Sequence, residues 1–328
     1  PLRKRLLREL KSEFGKYLVI FLLLAGTISL VSGFLVADGS LLIAYNEGFE
    51  RYNIEDGNFR LGEKANKAQL KSIRDLGVTV YDLFYAEEAL TNGSTLRIYP
   101  NREQVDLVCL MQGAMPTSAD EIAIDRMYAD NNSLTIGDTL ESGARSWTVT
   151  GLVALPDYSC LFRDNNDSMF DAVKFGVAIV TPEMFEDFSK DELYWNYAWK
   201  YDVKPAEGKP EQDAAEDLMQ GILNEAELEN FIPTYQNQAI QFTGDDMGGD
   251  KAMVDMLLYI VIVIMAFVFG ITISNTIRKE AGVIGTLRAS GYTRRELILH
   301  YMTLPVLVTL AGALIGNILG YTVFKGVC

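Results

Sequence analysis

Few residues in this chain are of types that do covalent or metal chemistry, and their spacing argues against it. Histidine occurs once, as His300, so HExxH and any multi-histidine zinc site lack their ligands. No GxxxxGK followed by Ser or Thr occurs. The GKP at Gly208–Pro210 lacks both the earlier glycine and the hydroxyl that a phosphate-cradling loop requires. Asp245, Asp246 and Asp250 lie close together, but a chain with 44 acids produces such clusters by chance, and they read as a solvated linker rather than a calcium site. Cys109, Cys160 and Cys328 form no CxxC; a Cys109–Cys160 disulfide is permitted outside a membrane, and whether the two pair stays open. The expectation is a protein that is not an enzyme and binds no cofactor or metal of its own.

What remains is the chemistry of charge and shape. The stretch IRKEAGVIGTLRASGYTRRELILHY, Ile277 to Tyr301, is basic within a chain of formal net charge -15. A helix continuing past Arg278 would meet a stop at Ser290-Gly291, with glycine at its C-cap. Thr293 followed three residues later by Glu296 is a capping box that starts another helix. The result is a tight helical hairpin with Val283, Ile284 and Leu287 on one side of its first arm. Apolar residues on such a protrusion are costly to leave wet, so either a membrane interface or a protein partner covers them.

The elements that position this hairpin are long apolar runs. YLVIFLLLAGTISLVSGFLVA, MLLYIVIVIMAFVFGITISNTI and YMTLPVLVTLAGALIGNILGYTVF carry no Asp, Glu, Lys or Arg, and each reaches the roughly 20 residues a helix needs to cross a bilayer. The expected organisation is a cytoplasmic amphipathic segment over 1–16 and transmembrane helices over 17–37, 255–277 and 301–324. An extracytoplasmic domain fills 38–254, and a cytoplasmic hairpin 278–300. The first run exceeds a signal-peptide core and is read as a retained anchor.

Sidedness follows from charge. All of the acids except Glu9, Glu13, Glu280 and Glu296 fall within 38–255, whereas Arg3, Lys4, Arg5, Arg8, Lys11 and Lys16 flank the first run and Arg278, Lys279, Arg288, Arg294 and Arg295 sit in the hairpin. Lys and Arg in short loops stay cytoplasmic, which places the acidic middle outside. That acidity opposes nucleic acid and anionic head groups. The expected localisation is a bacterial plasma membrane.

Within 38–254, strands and helices alternate. KANKAQLKSIRDLG reads as a helix with Ala68, Leu70, Ile73 and Leu76 inward; VTVYDLFYAEEAL and TLRIYP read as strands around the Asn92-Gly93 turn. VKFGVAIV is a strand, TPEMFEDFSK a helix capped by Thr181, YWNYAWKYDV a strand, EQDAAEDLMQGILNEAELEN a helix, NQAIQF a last strand, and TGDDMGGDK a Gly-rich lead into the second run. This is an α+β domain of split βαβ halves with a small β-rich insertion at about 111–158, standing on an all-α transmembrane part.

The order GAMP, EIAID, LTIGDTL, WTVTGLVALPDY and, after the second run, IGTLRASG resembles the FtsX-like and MacB-like permease family of ABC transporters. The resemblance implies a permease subunit whose hairpin residues Glu280, Val283, Ile284, Gly285, Leu287, Arg288 and Gly291 dock in a cytoplasmic ABC ATPase. ATP and Mg would then be held by that partner. Where the family has an acid directly ahead of the Ile, this chain has Val283, with Glu280 one turn earlier. The resemblance also implies a fourth span beyond the chain end, a second permease copy or homologous half, membrane lipid around the spans, and an extracytoplasmic protein or lipoprotein client. Mechanical transmission is one role, serving export or extraction of lipoprotein, peptide or drug-like clients. A regulator that activates a cell-wall hydrolase or a peptide-antibiotic resistance response is the alternative. Gly312, Gly316 and Gly320 recur every four residues and line one face of the third run, where close helix packing is expected.

Overall fold

The computed structural model describes residues 6, 8 and 10–325; residues 1–5, 7 and 9 of the expected segment 1–16 lie outside the described residues. The chain divides into two compact units, one of residues 44–245 and one of residues 1–43 with 246–328. Helix α1, Phe14–Arg51, leads through a turn into β1 (Gly57–Leu61), α2 (Lys67–Arg74), β2 (Val78–Asp82), β3 (Tyr85–Ala89) and β4 (Thr95–Pro100). There follow β5 (Cys109–Gly113), β6 (Glu121–Asp125), α3 (Arg126–Asn132), β7 (Thr139–Glu141) and β8 (Ser146–Ala154). Next come β9 (Phe175–Val180), α4 (Pro182–Glu186), β10 (Leu193–Tyr201), α5 (Lys209–Glu225) and β11 (Leu228–Pro233). The chain ends in α6 (Gln238–Lys279), α7 (Ala281–Ala289) and α8 (Arg294–Lys325).

The 44–245 unit is a mixed α/β domain built on a sheet of order β11-β1-β10-β3-β4-β9-β6-β8-β5, with β2 on β10 and β7 on β8. β4 and β9 run parallel, as do β6 and β8, and the remaining pairs are antiparallel. Segment 111–158 enters this sheet through β6 on β9. Strand β9, FGVAIV, is buried along its whole length, as expected of an uninterrupted apolar strand inside a sheet covered on both faces. A second core forms where α2 and α5 cover β1, β2 and β10: Phe59 stacks on Tyr197 at 5.2 Å, and Trp199 on Phe231 at 4.7 Å. Such pairs contribute beyond their area burial.

Several sequence readings differ from the structure, among them EQDAAEDLMQGILNEAELEN, whose helix ends at Glu225 so that Leu228–Pro233 pairs with β1 as a strand. NQAIQF is not a strand: Asn237 Oδ1 accepts from the Ala239 N–H, and its carbonyl accepts from Ile240 and Gln241, so the segment opens α6. TGDDMGGDK is not a linker but part of α6; a Cβ on Gly244 would sit 2.9 Å from the Tyr45 ring, so its glycine admits an aromatic side chain. VTVYDLFYAEEAL is two strands, because the chain changes partner residues on β10 at Leu83-Phe84. Leu76 lies past the end of α2 and is 48% exposed, while Ile73 is fully buried. Cys109 and Cys160 are not joined; their sulfurs lie beside Met111 Sδ at 3.8 Å and Thr243 Oγ1 at 3.6 Å.

In the helical unit, three helices are long and apolar enough to cross a membrane: Phe14–Arg51, Gln238–Lys279 and Arg294–Val323. The chain is a multi-pass membrane protein. Ile20, Leu24 and Met265 form the buried centre of the bundle, with Ile28, Val261, Phe269 and Val308 packed around them.

Candidate functional site

The basic hairpin is built by local chemistry. α6 does not run on past Arg278 as one straight helix: it ends at Lys279, and Glu280 departs from helical geometry with φ -103 and ψ 13 before α7 resumes. α7 closes when the Gly291 N–H donates to the Arg288 carbonyl at 3.1 Å and the Tyr292 N–H to that of Leu287 at 3.2 Å. This paired closure needs a left-handed residue, and Gly291 supplies it with φ +95. α8 then starts on the capping box. The Thr293 N–H and Oγ1 both donate to Glu296 Oε2 at 2.8 Å, and the Glu296 N–H donates to Thr293 Oγ1 at 3.3 Å. The turn geometry is thus dictated by a handful of adjacent residues.

Along α7, Ile284 and Leu287 are half-buried, Gly285, Arg288 and Gly291 are exposed, and Val283 is 39% exposed. Val283 lines a cavity of about 320 Å³ shared by the start of α1, the end of α6 and α8 near Pro305. Its polar wall was not legible in the sequence. Tyr301 Oη donates to Glu280 Oε2 at 2.5 Å. Glu13 accepts from Lys16 at 2.9 Å and from Lys279 at 3.2 Å, and Lys16 also donates to Thr276 Oγ1 at 3.3 Å. Each bond ties residues from different helices or turns of helix, so the ends of the three helices share one polar cluster at the break before α7. The Glu13–Lys279 pair spans most of the chain, which is why no local pattern announces it.

The glycine face lies against α1. A Cβ on Gly312 would meet Leu24 Cβ at 3.1 Å; on Gly316, the Ala25 carbonyl at 2.8 Å; on Gly320, the Ser29 carbonyl at 2.6 Å and the Gly33 nitrogen at 3.0 Å. The backbones therefore approach more closely than any larger side chain permits, and in a bilayer such packing is what holds helices together.

In the α/β unit, a polar cleft opens beside Glu55, Arg60, Tyr85, Arg97, Tyr99 and Tyr158. Arg97, 8% exposed, donates to Glu87 Oε1 at 2.6 Å and to Tyr158 Oη at 2.8 Å, with its guanidinium 4.5 Å from the Tyr85 ring. Arg102 donates to Asp157 Oδ1 at 2.7 Å and lies 4.0 Å from the Tyr99 ring. Strand alternation alone marked these residues as ordinary strand or loop positions. Among the described residues no group of three His, Cys, Asp or Glu side chains is arranged to hold a metal.

Residues 256–327, which contain the apolar length of α6 and all of α7 and α8, match the family described as the FtsX-like permease C-terminal domain. No curated protein matches the chain. Among solved structures, the chain is similar to the extracellular domain of the noncanonic ABC-type transporter YknZ from Gram-positive bacteria, with 14% identity and a TM-score of 0.28 over 53% of this chain and 100% of that one. It is also similar to the periplasmic region of MacB from Actinobacillus actinomycetemcomitans, at 10% identity and TM-score 0.29 over 58% and 91% of the two chains. A putative lipoprotein from Bacillus anthracis is similar at 10% identity and TM-score 0.29 over 54% and 96%. At these scores the α/β fold stands on its own contacts.

Proposed function

We propose that this chain is the permease subunit of an FtsX/MacB-type ABC transporter, in which a separate cytoplasmic ATPase moves the α7 hairpin and the membrane helices carry that motion to an extracytoplasmic α/β domain. One observation carries the reading: the FtsX-like segment holds, between two membrane-length helices, a hairpin of fixed shape that presents Val283 at its surface. The Lys and Arg residues flanking α1 and filling the hairpin favour a cytoplasmic position for both. The apolar runs contain no Asp, Glu, Lys, Arg or His side chain to line a polar substrate route. Mechanical work on a protein, lipoprotein, peptide or drug-like client fits that composition better than conduction. ATP and Mg belong to the partner, and a second permease copy or homologous half completes the assembly.

Two measurements test this. In a background without native cysteines, Glu207→Cys and Ser290→Cys label from opposite sides of the membrane; labelling from one side removes the coupling role. Leu287→Asp introduces an unpaired charge into the proposed contact, at a cost of several kcal/mol, about 3 or more. It should abolish ATPase co-purification while the chain still inserts, and retained ATPase stimulation would place the contact elsewhere.

A further inference from the structure

The chain leaves α1 through Asn53–Asp56 and enters β1 against the loop that follows β4. Two carboxyls meet in that contact. Glu55 is 2% exposed and Asp106 fully buried. The Glu55 N–H donates to Asp106 Oδ1 at 2.8 Å, and Asn58 Nδ2 donates to Glu55 Oε1 at 2.6 Å. The other oxygen of each group, Glu55 Oε2 and Asp106 Oδ2, is buried with no hydrogen-bond donor facing it, and the bond from the Glu55 backbone to Asp106 Oδ1 holds the two residues together. Two ionised carboxylates offer only acceptors, so in that form both oxygens stay unsatisfied at a cost that buried polar groups rarely bear.

The surrounding charges relieve them only in part. From the loop after β4, Arg102 donates through Nη1 to Asp157 at 2.7 Å and to the Asp106 carbonyl at 3.3 Å; its charge offsets part of the burial penalty on both carboxyls, but its Nε and Nη2 make no hydrogen bond to either one. Asp157, in the turn after β8, is 4% exposed and adds a third negative charge. From β10, Lys200 donates to the Ile54 carbonyl at 2.7 Å, and Asp56, beside Glu55, is paired with Lys204 at 2.9 Å. Tyr99 and Tyr158 hydrogen-bond each other at 2.9 Å, and Arg97 is taken by Glu87 and Tyr158.

We propose that Glu55 and Asp106 share one proton between Oε2 and Oδ2, and that this proton locks the segment leaving α1 onto the loop 101–107. A single proton supplies the donor that both oxygens lack. Burial first, then the charge of Asp157, pushes Asp106 up to about 7, and burial followed by Asp106 holds Glu55 well above the usual carboxylate range; the two titrate as a unit. The backbone marks the same contact. Asn53 at φ 47 and Asp106 at φ 49 are two of the three non-glycine residues with positive φ among those described, a conformation that persists only where its surroundings enforce it. The lock also reaches the start of α6, because Thr234 Oγ1 donates to the Glu55 carbonyl at 2.7 Å.

The sign follows from the raised folded-state values. The pair's stabilisation is fully present below the ordinary carboxylate range and is lost as pH rises through the raised value, near 7 for Asp106. The test uses the full chain in detergent, with hydrogen exchange corrected for intrinsic rate at the amides of Glu55, Asp106 and Leu107. Protection should fall by about tenfold or more between about pH 5 and about pH 9. Glu55→Gln, whose amide donates at every pH, should flatten that dependence; an unchanged dependence in this variant, or a flat profile in the parent, overturns the proposal. Should the variant fail to fold, infrared difference spectra of the parent decide. A carboxylic C=O band lost between about pH 7 and about pH 9 is expected, and its absence overturns the shared proton.

Discussion

The two units solve opposite problems. The α/β unit buries large polar side chains and pairs its buried arginines: Arg97 and Arg102 are each ion-paired and laid on aromatic rings. The helical unit buries much less: in the most apolar windows of Phe14–Arg51, Gln238–Lys279 and Arg294–Val323 only 28%, 6% and 22% is buried, and Phe267, Ile271 and Tyr259 on the second are each at least 62% exposed. In water such a helix would not stand alone; lipid or other helices must cover it. The difference teaches that stability in the first unit is set by satisfied polar groups and shape, and in the second by how closely backbones approach.

Breaking this contrast begins with the ion pair. Arg102→Met should leave Asp157 buried without its partner and lower the unfolding free energy of the α/β unit by about 3–5 kcal/mol, measured by thermal unfolding of the full chain in detergent; a loss under about 1 kcal/mol would mean water already serves that carboxylate. Gly57→Ala tests shape in the same unit. Its Cβ would collide with the Trp199 ring and approach the Ile232 carbonyl to 2.8 Å, an overpacking expected to cost about 1–3 kcal/mol, and an unshifted melting temperature would show that the ring has room to yield.

The helical unit should respond to volume rather than charge. Gly316→Leu places a side chain where a Cβ already meets the Ala25 carbonyl at 2.8 Å and should separate α8 from α1, read as loss of a disulfide engineered between the two helices. Leu314→Ile, at a side chain 64% exposed, should leave that crosslink intact. Equal crosslinking in both variants would remove close backbone approach as the organising feature. The smallest effect is expected at the rim of the α/β unit. Arg60 and Glu229 pair at 2.9 Å, but Glu229 is 46% exposed, so Glu229→Gln should change stability by less than about 1 kcal/mol; a larger loss would join this pair to the buried network.

Sequence by itself determined what depends on composition and near neighbours. Three apolar lengths fixed the membrane helices because the bilayer demands about 20 uncharged residues. The hairpin was legible because its signals, Gly291 for a left-handed stop and Thr293 with Glu296 for a new start, act within a few residues of one another. The turn at Asn92-Gly93 and the Thr181 cap were legible for the same reason. Tertiary structure decided what depends on a distant partner. Whether TGDDMGGDK coils or stays helical turned on the Tyr45 ring packed at Gly244 and on Asn237 opening the helix. Whether Glu280 continues a helix or breaks it could not be read from a stretch of good helix formers. Whether Glu55 is a solvated acid or half of a buried pair turned on Asp106, brought to it across 51 positions. Periodicity reports which face of an element is apolar, but the side chain that will meet a buried carboxyl is chosen only when the chain has closed on itself.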